Sequence, residues 1–276
     1  MFKIKFPLLL LLLTIFSKAL YSQSFKINDR TKIYTSKVNE NILHLKVDNN
    51  LSIPISVRVG LVLENLKSDQ SGVVLAVVPP KVSGKIIAVM QRQELGQPYK
   101  CTFTWRTALG DTTKTPDMDY SYGYPFEKTE RYKVSQGPYG NFSHSKMFAY
   151  DFSTPVGTPI CAARDGIIAL VKDDSSTGGP DKKYVDDANF ISIYHQDGTL
   201  AYYYHLEKGG VAVKEGQFVK QGQIIGYSGN TGFSNGPHLH FEITQSNISS
   251  DTKKWIDFKW ELEGENALTL NSSPAK

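Results

Sequence analysis

The chain is expected to be all-β, a β-sandwich-like domain followed by a domain built on an antiparallel β-sheet. Three observations carry this reading. Nearly every apolar stretch is short, rich in β-branched or aromatic residues, and bounded by Gly, Pro, Asn or Asp. No segment shows the 3.6-residue apolar period of a long helix. Asp197-Gly198 also stands between ISIYH and TLAYYYHL, two strand-like runs joined by a dipeptide that strongly marks a hairpin. With 40% apolar and 21% charged residues, the composition is that of a globular protein.

Taken in order, residues 1–23 read as a secretory signal peptide. Lys3 and Lys5 precede the apolar run Phe6–Phe16, which is too short to span a bilayer, and small or polar residues follow. Cleavage near Ser22 or Gln23 would leave an exported, periplasmic or extracellular protein with no stable membrane span. Three lysines leave with the signal, so 28 basic side chains face 27 acidic ones. No Lys/Arg run or basic–aromatic interleaving remains, and nucleic-acid binding is not expected.

Residues 24–110 read as the sandwich. The runs 42–48, 51–63, 73–78, 85–92 and 100–106 are strand-like and separated by turn formers such as Asn49-Asn50 and Pro79-Pro80. The lone histidine here, His44, alternates with leucines and reads as structural. Residues 111–140 are rich in Gly, Pro, Asp and Tyr with weak periodicity, which suggests an irregular linker. Its tyrosines either pack against a domain or line a groove. Dense strand signals return over 141–245, and 246–276 form a C-terminal extension in which Trp255 and Trp260 are spaced for packing. Cys101 and Cys161 fall in different domains and are expected as buried thiols rather than a disulfide. Nothing in the residues indicates an oligomeric state.

Four histidines of the second half fall in three polar islands. In PHLHFEI, residues 237–243, strand alternation turns Leu239, Phe241 and Ile243 to the core, and His238, His240 and Glu242 together to the other face. Two imidazoles on one face suit a metal or its bound water, although an isolated His-x-His also fits an exposed polar face. In SHSKMFAYDF, residues 143–152, His144 and Asp151 offer a nitrogen and a carboxylate oxygen suited to Zn²⁺. With His240 they would make three protein ligands and leave a fourth position open, as catalytic zinc requires. In YYYHL, residues 202–206, alternation puts Tyr203 and His205 on one face and Tyr202, Tyr204 and Leu206 on the other. His195 shares a face with Ile191 and Ile193 and reads as scaffold.

These islands, in this order, resemble the lysostaphin-type (LytM-type) zinc metallopeptidases, which are peptidoglycan endopeptidases. The resemblance covers about residues 136–244 and includes QGPYGNFSH, AYDFSTPVGTPICAARDGII, YYYHL and VKEGQFVKQGQIIGYSGNTGFSNGPHLHFEI. It implies one zinc ion held by His144, Asp151 and His240, with His205 and His238 as the catalytic pair. Six residues separate His144 from Asp151, where many members have three; a branch of the family shares the longer spacing and the SH…A-x-DF context. Glu242 is not the base in the family motif, and a supporting or surface role is expected for it. The resemblance implies a secreted zinc metalloendopeptidase acting on peptidoglycan peptides through a zinc-bound water. The residues leave two other readings open: a noncatalytic cell-wall-binding or hydrolase-activating protein, and a peptidase of protein substrates.

Overall fold

The computed structural model describes residues 28–70, 72–250 and 252–261. The expected export signal at 1–23 and the end of the C-terminal extension lie outside them. Among the described residues the elements are strands and two short 3-10 helices, and no helix is long and apolar enough to cross a membrane.

The first half holds β1 (Thr31–Lys37), β2 (Ile42–Asn49), β3 (Ile55–Glu64), β4 (Leu66–Ser68), β5 (Val73–Val78), β6 (Val82–Arg92) and β7 (Lys100–Leu109). They form a four-stranded sheet in the order β1-β2-β6-β4 and a three-stranded sheet in the order β5-β3-β7. Alternation does the sorting: in β2, Leu43, Leu45 and Val47 are buried, while His44 and Lys46 sit on the half-exposed side. Leu45 and Met90 of the first sheet meet Val59 and Val74 of the second in one core, which makes the pair a sandwich.

One strand start and one whole strand depart most from expectation. β3 begins at Ile55 rather than residue 51. Pro54 has no N–H to give a ladder, and the buried Asn49 amide organises the turn before it. Asn49 Nδ2 donates to the Ile53 and Val78 carbonyls at 3.0 and 3.1 Å, and its Oδ1 accepts from Leu51 N at 3.0 Å. β1 was not anticipated, because TKIYTSK carries few apolar residues; its register with β2 runs from Thr31↔Asn49 to Lys37↔Leu43. Both cysteines are free, Cys101 half-buried and Cys161 buried.

The second half holds β8 (Ser121–Gly123), β9 (Val134–Gln136), β10 (Ala149–Ser153), β11 (Pro159–Cys161), β12 (Gly166–Lys172), β13 (Gly178–Gly179) and β14 (Asn189–Tyr194). There follow β15 (Leu200–Val211), β16 (Phe218–Val219), β17 (Ile224–Ser228), β18 (Gly232–Phe233), β19 (His238–Ser246), β20 (Lys253–Trp255) and β21 (Lys259–Glu261). The main sheet runs β16-β12-β14-β15-β19-β10-β9. β14 and β15 are the Asp197-Gly198 hairpin. Gly198 sits at φ +86°, and a Cβ there would lie 2.9 Å from the Asp111 carbonyl oxygen, so glycine is required twice over.

Every residue of β14 is buried, because both faces of the sheet are covered. On one face Ile191, Ile193, Tyr203, Leu239, Phe241 and Ile243 pack with Tyr122, Phe126, Phe258 and Trp260. Residues 111–140, expected as a linker, thus lay aromatic side chains over the sheet, and the C-terminal extension does the same. On the opposite face Phe190, Leu200, Tyr202 and Tyr204 pack against Leu51, Ile53, Ile55 and Val57 of the sandwich. Burying one such aliphatic side chain contributes about 1.5–3 kcal/mol. The two halves therefore share a core, and the sandwich buttresses the sheet that carries the histidines.

Candidate functional site

The site is assembled first by register. Asp151 of β10 pairs with His240 of β19, and His240 pairs with Tyr204 of β15. Directly opposed residues on neighbouring strands project to the same face, so the carboxylate and the imidazole are brought side by side by the ladder itself. His144 arrives from the loop before β10. That loop is tied by Met147 N donating to the His144 carbonyl at 2.8 Å and Tyr139 N donating to the Met147 carbonyl at 2.9 Å.

Three atoms converge. His144 Nε2 lies 3.2 Å from both Asp151 Oδ1 and His240 Nδ1, and His240 Nδ1 lies 2.9 Å from Asp151 Oδ1. Donor atoms about 2.0–2.1 Å from a tetrahedral ion stand roughly 3.3 Å from one another. The triangle therefore has the dimensions of three corners of such a shell, and the two nitrogens and one carboxylate oxygen are the donor types zinc takes. All three residues are buried. The ring of His144 is aimed by its Nδ1–H, which donates to the Gly137 carbonyl at 3.0 Å.

His205 and His238 stand beside this triangle. Their ring centroids are 4.4 Å apart, and His238 Nε2 is 3.8 Å from Asp151 Oδ1. His205 Nδ1 contacts the Thr231 carbonyl at 2.7 Å, and His238 Nδ1 contacts the Gly236 carbonyl at 2.8 Å. A carbonyl oxygen only accepts, so each Nδ1 carries the proton and each Nε2 keeps a lone pair. Burial, with the neighbouring imidazoles, pushes His205 down to about 3; burial also lowers His238. Both rings are neutral near pH 7.

The facing of His205 corrects a reading made from alternation. Tyr203 and Leu206 point into the aromatic core, while Tyr204 and His205 face the site. The reason is a β-bulge. Asn189 pairs with Leu206 and Phe190 with Tyr204, so His205 is the extra residue, and it sits at φ +66°. A bulge inserts one residue and re-aims the side chains that follow. His195 is away from the site: it is fully buried, its Nδ1 contacts the Asp165 carbonyl at 2.8 Å, and its ring meets Tyr122 edge-on.

Two supporting residues complete the centre. Gln136 falls in the stretch that reads as a linker. Its Nε2 donates to Asp151 Oδ2 at 3.1 Å and Ser143 Oγ at 2.7 Å, and its Oε1 accepts from Ser143 N at 3.2 Å. It ties one ligand candidate to the loop that carries another. The signal available was its place at the start of QGPYGNFSH. Glu242 is 1% exposed, and its Oε2 lies 3.8 Å from His240 Nε2.

Electrostatics make the centre acid-sensitive. Burial works to raise the Asp151 pKa, but the His144 and His240 imidazoles beside it outweigh burial and hold the carboxyl well below its usual range. Burial likewise opposes charge on His240, yet the hydrogen bond to Asp151 and the Glu242 carboxylate push it up to about 9. In the metal-free protein that charge contributes stability which is complete below about pH 6.5 and lost as the pH rises through about 9. A metal on Nδ1 must displace the same proton. Apparent zinc affinity is therefore expected to rise about tenfold per pH unit from 7 to 9 and then flatten, as read by chelator competition. A flat profile across that interval would show that His240 Nδ1 carries no proton to release.

Residues 145–252 match peptidase family M23; His144 is the residue immediately before. The chain is 28% identical over 227 residues to an uncharacterized metalloprotease of Buchnera aphidicola, covering 76% of this chain and 57% of that one. It is 39% identical over 93 residues to the peptidoglycan DD-endopeptidase ShyA of Vibrio cholerae, covering 34% of this chain and 19% of the relative. It therefore spans less than two thirds of the length of either. Among solved structures, the catalytic domain of lysostaphin from Staphylococcus simulans shares 35% identity over 44% of this chain and 84% of that one, with a TM-score of 0.33.

Proposed function

Because residues 145–252 form a peptidase family M23 domain, we propose that the protein is an exported zinc metalloendopeptidase that hydrolyses peptide bonds in bacterial peptidoglycan. The observation that carries this reading is the triangle of His144 Nε2, Asp151 Oδ1 and His240 Nδ1 with two neutral imidazoles beside it. These three residues would hold one zinc ion. When bound, zinc would lower the pKa of its water to about 7 and polarise the scissile carbonyl.

The rest of the chemistry belongs to the chain. His205 and His238, each with a free lone pair at Nε2, orient the attacking water and accept its proton. Once protonated, the same rings can donate to the oxyanion and to the leaving amine. Their Nδ1 contacts with the Thr231 and Gly236 carbonyls fix which nitrogen faces the work. Peptidoglycan as substrate is supported by the names of the similar proteins, such as the ShyA endopeptidase. Export is supported by the charged and apolar start of the chain.

The test is digestion of purified peptidoglycan by the mature, metal-analysed protein, with chelated protein as control and mass spectrometry of the fragments. New peptide ends from the native protein alone are expected, and they identify the bond. No new ends despite one zinc per chain would overturn the peptidoglycan reading, leaving a noncatalytic wall-binding protein or a peptidase of protein substrates.

A further inference from the structure

The C-terminal extension does more than cover the sheet. β20 pairs with β19 antiparallel, Thr244↔Trp255 and Ser246↔Lys253, and this sets two side chains on Glu242. Trp255 Nε1 donates to Glu242 Oε2 at 2.6 Å, and Lys253 pairs with Glu242 Oε1. A carboxylate 1% exposed is tolerated only when paired and hydrogen-bonded. Here both oxygens are engaged, and the side chain is held with Oε2 at ion-pair distance, 3.8 Å, from His240 Nε2. That nitrogen is the one turned away from His144 and Asp151. Two residues further on, Asp257 Oδ1 accepts from the Tyr139 hydroxyl at 3.1 Å. Tyr139 belongs to the loop whose Gly137 carbonyl aims the His144 ring.

We propose that Lys253–Asp257, which lies beyond the residues matching the family, is a positioning element of the metal centre, acting through Glu242 on His240 and through Tyr139 on the loop of His144. The inference rests on the zinc reading above. A carboxylate on the far nitrogen of a ligand imidazole fixes its tautomer and ring orientation and raises its basicity. At 3.8 Å the Glu242 carboxylate acts on His240 Nε2 by its charge, favouring the proton on that nitrogen and leaving Nδ1 for the ion, and Lys253 and Trp255 keep Glu242 from turning away. The segment grips two of the three ligands from their outer sides. Its cost falls on metal affinity rather than on the fold alone.

The test compares native protein with Glu242→Gln, Trp255→Phe and Tyr139→Phe. Zinc affinity is read by chelator competition, the visible spectrum after cobalt(II) substitution reports ligand geometry, and circular dichroism reports folding. Glu242→Gln is expected to weaken zinc about 10- to 100-fold and to shift the cobalt bands. Trp255→Phe, which deletes one N–H and keeps an aromatic ring, is expected to weaken zinc about 3- to 10-fold in a folded protein. Tyr139→Phe should weaken it less. Folded Glu242→Gln and Trp255→Phe proteins that bind zinc within twofold of native, with an unchanged cobalt spectrum, would overturn the proposal and leave the segment a packing element. A native protein that takes up no zinc would instead defeat the zinc reading itself, so the two failures are distinguishable.

Discussion

His240→Ala protein, purified as the native protein is, should contain only trace zinc and release no peptidoglycan fragments above the chelated control. The expectation follows from the triangle: His240 Nδ1 is the vertex 2.9 Å from Asp151 Oδ1 and 3.2 Å from His144 Nε2. Its loss leaves two donors, where catalytic zinc needs three protein ligands and an open position. The affinity loss should exceed the roughly 100-fold ceiling of an outer partner such as Glu242, and that inequality is the informative part. His144→Ala should behave alike. It is the sharper test, because His144 lies just outside the matched residues and is separated from Asp151 by six residues. Unchanged zinc content in His144→Ala, measured by elemental analysis, would remove that residue from the ligand set and leave Gln136 and Asp151 to be reconsidered. Both variants should fold, since β10 and β19 keep their register and their inward residues Phe152, Leu239 and Phe241.

Much of this arrangement was legible in the residues, for physical reasons that also mark where legibility ends. Strict alternation along residues 237–243 separates the side chains that build the core from those that build the site, because a strand's period is fixed at two. The same rule misassigned His205, since one residue at φ +66° inserts a bulge that the rule cannot contain. Val59 and Met90 lie in runs that read as strands, but which sheets pack together is not readable, because packing between distant segments leaves no local period. Tyr122 and Phe126 show this best. They are buried in the main core from a stretch with no strand pattern, and aperiodic segments hide their buried residues. Gln136 was missed for the same reason. The sharing of one core between the sandwich and the main sheet is likewise a non-local fact, carried by Leu51, Ile53 and Ile55 against Phe190 and Tyr202.

His205→Ala and His238→Ala should retain one zinc per chain and lose turnover by about 10²–10⁴-fold each, the range a positioned general base supplies. Neither ring is a vertex of the donor triangle, so metal content and catalysis come apart in these two variants as they do not in His240→Ala. The two losses should not add. The rings are 4.4 Å apart and in the proposed mechanism would act on one water, and residues that work as a unit give a double variant little worse than either single one. Full additivity would mean independent roles. Loss of zinc from either variant would mean that a ligand had been taken for a catalyst. There is also a conformational control within the chain. Replacing Thr231 changes a residue whose backbone carbonyl, not its side chain, aims His205, so the ring's tautomer survives. Yet its hydroxyl accepts no such role: it receives Asn189 N at 2.9 Å and donates to the Leu206 carbonyl at 2.7 Å, pinning the bulge from both strands. Thr231→Val should therefore lower turnover by releasing the bulge while leaving zinc affinity unchanged. That separation would locate the catalytic geometry in the strained residue of β15 rather than in the metal shell.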